Sequence, residues 1–129
     1  MLPFRLNLQP GLPIYEQIVQ SVRHACGTGM LAAGDRFPAV RVIAGELGVN
    51  PNTVQKAVAE LTRAGLLEVR PGQGCFVASQ RPPAKSERAS QIRPKLRELL
   101  IDAANLGITE QELHDLLKTE HRKLHDPRH

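Results

Sequence analysis

Residues 34–77 read GDRFPAVRVIAGELGVNPNTVQKAVAELTRAGLLEVRPGQGCFV, and the order of elements in this stretch decides the fold. A short helical segment ends at Gly48, where glycine's access to positive φ lets the helix stop and the chain turn. Asn50 follows as a cap able to accept a bond from a free backbone N–H. Pro51 falls at the first helical position, where its missing donor is not needed. Val54, Ala57, Val58 and Leu61 then recur at i, i+3, i+4 and i+7, the stripe of a helix packed on a core. Asn52, Thr53, Gln55, Lys56, Glu60 and Arg63 take the opposite face, with polar or basic groups suited to base edges and phosphates. Gly65 ends that helix, and Gly72 and Gly74 punctuate a hairpin closing on Phe76-Val77. The spacing predicts helices over residues 39–47 and 51–64 and strands over 66–70 and 75–78, in the order helix, turn, helix, wing. A helix-turn-helix lays its second helix in the major groove of DNA. The competing reading is a small helical bundle with an ordinary polar surface.

The same residues carry a family resemblance. Gly34, Phe37-Pro38-Ala39, Arg41, Ile43-Ala44, Thr53-Val54, Ala57 and Gly72-Gln73-Gly74-Cys75-Phe76-Val77 resemble the winged-helix pattern of GntR-type bacterial transcription regulators. Asn50-Pro51-Asn52-Thr53 and the leading Pro13-Ile14-Tyr15-Glu16-Gln17-Ile18 are similar to the YtrA branch of that family. The chain also departs from the pattern. Ala39 replaces a capping Ser, a change worth about 1 kcal/mol. Val42 and Gly45 weaken the first motif helix, and Pro51 and Gln55 stand where other branches carry DNA-contacting arginines. The resemblance implies that Arg41 reads a guanine and that the wing glycines approach the DNA backbone. The candidate DNA contacts are Arg36, Arg41, Asn50, Asn52, Thr53, Gln55, Lys56, Arg70, Gly72, Gln73 and Gly74. Among them Asn52 and Gln55 are supplementary base readers, while Thr53 and Lys56 hold phosphates.

Composition limits the alternatives. The net charge of +4 and pI near 9.5 fit a polyanion partner. Residues 1–80, however, carry seven Lys/Arg against five Asp/Glu, so placement of charge rather than its quantity must act. Phe4, Tyr15, Phe37 and Phe76 are the only aromatic side chains among Phe, Tyr and Trp, too few for base-stacking on single strands. There is no long apolar run and no signal-peptide pattern at the N-terminus, which implies a cytoplasmic protein without a membrane partner. Cys26 lies on the apolar face of the first helix with Ile18 and Val22. Cys75 lies on the wing, where oxidation would alter contacts beside DNA, but no neighbouring base is evident.

Along the chain, a first helix begins at Pro13, with Ile14, Ile18, Val22 and the Tyr15–Val19 pair facing inward and Gly27 and Gly29 ending it. Residues 30–31 are placed as a third strand beside the wing. The winged helix-turn-helix domain thus spans residues 1–79. Residues 80–91, QRPPAKSERASQ, are polar and lack apolar periodicity, as in a linker. In residues 92–126, Leu96, Leu99, Leu100, Ala103 and Leu106 form one helical stripe, stopped by Gly107, and Leu113, Leu116, Leu117 and Leu124 form a second. Thr109 and Glu112 have capping-box spacing. Two such short helices are marginal alone in water. Pairing two hairpins about a twofold axis buries Leu96, Leu99, Leu100, Ala103, Leu113, Leu116 and Leu117, and the resemblance implies the same homodimer. The alternative is packing onto the same chain's winged helix. His121, His125 and His129 recur every four residues with His114 upstream, a spacing open to a metal but equally to a solvated basic tail.

The expected architecture is therefore mainly α with a small β-hairpin: an N-terminal winged helix-turn-helix and a C-terminal two-helix dimerisation hairpin. The function read from it is sequence-specific binding of double-stranded DNA at an inverted repeat, by a homodimeric regulator of transcription acting as a repressor. A winged-helix protein-interaction module that has lost DNA binding is the alternative. No nucleophile–base pair or phosphate loop suggests an enzyme, no cofactor or metal is expected, and no small-molecule effector can be named from these residues.

Overall fold

Helix α1 (Ile14–Gly27) starts directly after Pro13 and turns Gln17, Ile18, Val22 and Ala25 inward. The structure, a computed structural model, describes residues 2–79 and 85–125. Ile14, expected in the buried stripe, is 37% exposed in the first turn. The position a turn further along is taken instead by a buried polar group, Gln17. Its Oε1 accepts from the Gln9 backbone N–H at 2.8 Å, and its Nε2 donates to the carbonyls of Gln9 at 2.9 Å and Leu12 at 3.0 Å. The side-chain amide is thus satisfied where burial alone would be costly, and it straps the N-terminal segment to α1. Further up that segment Phe4 is buried and stacks on Phe37 with ring centroids 5.8 Å apart. We expect Gln17→Ala to destabilise the fold by about 1–3 kcal/mol, the cost of removing a buried hydrogen-bonding partner. A urea midpoint unchanged from that of the parent protein would show that the strap contributes nothing.

Helix α2 (Val40–Leu47) has Ala39 at its N-cap with no side-chain bond, as the missing Ser leads one to expect. It ends at Gly48, whose φ of 68° and ψ of 36° lie in the left-handed region and whose N–H bonds to the Ala44 carbonyl. Helix α3 (Pro51–Arg63) is capped by Asn50, which accepts from the Asn52 N–H at 2.8 Å. Val54, Ala57, Val58 and Leu61 of α3 are buried with Ile18, Val22, Ile43, Leu67 and Val77 in one core. This helix packs against α1, α2 and the first wing strand. Each fully buried aliphatic side chain there contributes roughly 1.5–3 kcal/mol.

The wing consists of β1 (Leu67–Arg70) and β2 (Gly74–Val77), antiparallel, with Leu67 opposite Val77 and Arg70 opposite Gly74. The third strand lies elsewhere than expected. Residues 30–31 form none: the Leu31 N–H bonds to the Ala25 carbonyl and its side chain enters the core. Instead the chain just before α2 runs beside β2, with a bridge between Arg36 and Phe76. Gly34 N–H donates to the Val77 carbonyl at 2.9 Å, Val77 N–H to Asp35 at 2.8 Å, and Phe37 N–H to Cys75 at 2.8 Å.

The chain divides into two compact units, Met1–Gln80 and Arg81–His129. In the second unit, helix α4 (Lys85–Asn105) begins inside the segment expected to be a linker. Lys, Glu, Arg, Ala and Gln in residues 85–91 are good helix formers that leave no apolar signature. Pro94 lies within α4, where it removes one backbone donor but does not break the helix. Residues 80–84 of the expected linker lie outside the described residues, as do position 126 and His129. Helix α5 (Glu110–Leu124) opens on the anticipated capping box: Thr109 Oγ1 accepts from the Glu112 N–H at 3.1 Å, and the Thr109 N–H donates to Glu112 Oε1 at 3.4 Å.

Candidate nucleic-acid interface

With its apolar stripe in the core, α3 turns Asn52, Gln55, Lys56, Ala59 and Arg63 outward, all exposed, while Thr53 is half-buried. Arg41 sits in the first turn of α2, is exposed, and takes part in none of the ion pairs among the described residues. The Oδ1 of Asn50 is committed to its cap, so its free hydrogen-bonding capacity is the amide NH2.

The wing turn has the residues of a type II turn, Pro71 then Gly72, with Gly72 at φ 75° and the Gln73 N–H donating to the Arg70 carbonyl at 2.9 Å. Gly74 has φ 121°, and a Cβ there would lie 3.4 Å from the Arg36 guanidinium. That guanidinium donates to the Gln73 carbonyl at 3.1 Å and lies 5.9 Å from the Phe76 ring centroid. Arg70 lies 4.0 Å from the same ring and bonds Glu68 at 2.8 Å. Both wing arginines are therefore held by the hairpin itself. A cleft of about 110 Å³, lined by residues including Arg36, Ala39, Val40, Val58 and Gly74, brings the wing, the start of α2 and α3 together. The sequence-level candidates of the head thus lie on adjoining elements of one unit.

Tyr15 of α1 and Arg63 of α3, both outside the candidate set, stand on the same side as Lys56. The Lys56 ammonium lies 4.0 Å from the centroid of the Tyr15 ring on α1, and Arg63 pairs with Glu60 one turn away. An open groove of about 540 Å³ is lined by Tyr15, Lys56, Ala59, Glu60 and Arg63. Tyr15 was read as part of a motif and of an inward-facing pair with Val19, and both are partly buried against the core, but its approach to Lys56 depends on how α1 crosses α3.

Burial pushes both thiols above their ordinary value, and for Cys75 a backbone hydrogen bond at Phe76 opposes the rise. The reactive thiolate is disfavoured at both positions. At the C-terminal end of α5 the rings of His121 and the C-cap residue His125 stack 4.4 Å apart, and His125 Nδ1 donates to the His121 carbonyl at 2.9 Å. Among the described residues no group of three or more His, Cys, Asp or Glu converges as for a metal ion. Among them, too, no helix is long and apolar enough to cross a membrane. On the tail, Leu96, Leu99, Leu100, Leu116 and Leu117 are exposed, Leu117 at 63%, while Leu113 is half-buried and Ala103 buried.

Residues 14–77 match the family model of bacterial regulatory proteins, gntR family. The chain is 37% identical over 115 residues to the HTH-type transcriptional repressor YtrA of Bacillus subtilis (strain 168), covering 88% of each protein. Its fold is similar to a crystal structure described as a transcriptional antiterminator from Listeria monocytogenes EGD-e, with a TM-score of 0.77, 35% identity, and 95% of this chain and 92% of that one covered. The head is similar to the AraR DNA-binding domain solved in complex with operator ORX1, with a TM-score of 0.52 and 26% identity over 57% of this chain and 95% of that one.

Proposed function

Because the chain belongs to the gntR family of bacterial regulatory proteins, in its YtrA-type branch, we propose that it is a homodimeric repressor gripping an inverted repeat in double-stranded DNA. The family consists of DNA-binding transcriptional regulators and not of enzymes. The observation that carries the reading is the outward face of α3, polar or basic apart from Ala59 and flanked on the same unit by Arg41 and the glycine turn of the wing. In this account α3 enters the major groove. Arg41 pairs with a guanine through O6 and N7, and Asn52 and Gln55 supply further base contacts. Thr53, Lys56 and the wing turn meet the sugar–phosphate chain. Arg36, Arg70 and the Asn50 amide line its edges.

The homodimer is supported by the leucines that α4 and α5 leave exposed, in stripes that a second copy would cover. Repression is supported by the relative of that name, and occupancy of a promoter is its simplest mechanism. Titrating the protein into labelled duplex and following the mobility shift tests the reading. Saturable binding resistant to competitor DNA is expected, whereas a protein that leaves every duplex unshifted would be an interaction module.

The wing contributes through backbone geometry. At φ 121° a side chain on residue 74 is strained whatever space it finds, and its Cβ would come into contact with the Arg36 guanidinium. We expect Gly74→Val to weaken binding to all duplexes alike, by about 1–3 kcal/mol if the strain is relieved by distorting the turn. Helical content should remain unchanged by circular dichroism. A change in preferred sequence with non-specific affinity intact would contradict a phosphate-facing wing.

A further inference from the structure

An open groove of about 540 Å³ lies between α1 and α3, and the DNA-contact candidates account for only one of its lining residues, Lys56. Lys56 stands on the outward face of α3, yet its ammonium is drawn sideways onto the Tyr15 ring of α1 at 4.0 Å. A lysine chain free in solvent samples many rotamers; a cation over an aromatic face is held in one. Two turns along α3, Arg63 is steered by Glu60. Between them stands Ala59, whose small side chain keeps the floor open. Lys56 and Arg63 are seven residues apart, roughly 10 Å along the helix, so two cations border one shallow trough. The Glu60 carboxylate, the one acidic group among the described residues lining it, is engaged by Arg63.

We propose that this trough seats the sugar–phosphate chain flanking the major groove, and that Tyr15 is the positioning residue that aims Lys56 at a phosphate rather than at a base. The inference rests on the DNA-binding reading above and adds α1 to the interface. Tyr15 acts through Lys56: its ring fixes the direction of the ammonium, which neutralises the phosphate and releases a counterion.

The test uses the full chain and the duplex selected by it, with Tyr15→Leu, Tyr15→Phe, Lys56→Ala and the Tyr15→Leu/Lys56→Ala double variant titrated across a salt series. Lys56→Ala should weaken binding to specific and random duplexes alike and reduce the salt slope by about one. Tyr15→Leu should cost roughly 2- to 5-fold, the scale of an exposed cation–π contact. It should add nothing in the Lys56→Ala background, and Tyr15→Phe, which keeps the ring face, should restore most of the loss. Additive losses in the double variant, or a silent Tyr15→Leu, would overturn the proposal.

A second readout does not depend on the variants folding. Tyr15 is the single tyrosine and there is no tryptophan, so intrinsic emission reports this groove alone. Duplex should change that emission with the same midpoint as binding; emission unaltered at saturation would place the phosphate chain elsewhere. If the parent protein binds no duplex at all, the DNA-binding reading fails and this proposal with it. Binding with uncoupled Tyr15 and Lys56 sinks this proposal alone.

Discussion

Replacing Leu99 and Leu116 together with Asp is expected to yield a monomer whose head remains folded and whose affinity for its operator falls at least 100-fold or so. Both leucines are 48% exposed in the single chain, and in the proposed dimer they meet their counterparts across an apolar seam. A carboxylate placed there costs several kcal/mol per ion unless it is paired, and a twofold axis would bring like charge to like charge. The head is spared because every residue of its core cluster lies between Phe4 and Val77. The fall in affinity follows from losing the second half-site, since linked binding of two modules gains 10²- to 10⁴-fold over one. Sedimentation or light scattering reads the first effect and a duplex titration the second. A doubly substituted protein that still sediments as a dimer would put the interface on another surface.

Arg41→Ala is expected to cost about 1–3 kcal/mol and to relax the preference at one base pair in each half-site. The side chain is exposed at the start of α2 and free of ion pairs among the described residues. It therefore has no visible structural duty that its removal would disturb. Competition against operators altered one base pair at a time distinguishes reading from holding. A base reader loses discrimination at a single position, whereas a phosphate contact loses affinity equally for every variant and flattens the salt dependence. An even loss across the whole set would strike Arg41 from the readers.

The head was legible in the sequence wherever a boundary depends on local chemistry. Gly48 adopts the left-handed conformation that its position implied, Asn50 caps α3, and Gly72 and Gly74 take positive φ at the wing turn. Each signal acts over two or three residues, so no knowledge of the rest of the chain is needed. What escaped depends on residues distant in sequence. The third strand of the wing was sought at residues 30–31, yet the pairing falls at Arg36 and Phe76, because a single bridge has no periodicity to read. Gln17 lies within a motif as one polar letter, and its role as a strap appears only when Gln9 and Leu12 are folded back over it. The start of α4 carries no apolar stripe and so read as a linker. In the candidate site, residue identities could be read but not commitments. Arg36 and Arg70 are engaged by residues of the wing hairpin, and Lys56 by Tyr15.

Selection of bound duplexes from a random pool by the protein is the most direct test of a dimeric, sequence-specific regulator. The account predicts enrichment of one sequence containing two copies of a short half-site in inverted orientation. Their centres should lie about one helical turn, or a multiple of it, apart, and the enriched guanine of each half-site should lose its selection in Arg41→Ala. A pool that emerges without enrichment, or with a single unrepeated half-site, would contradict it.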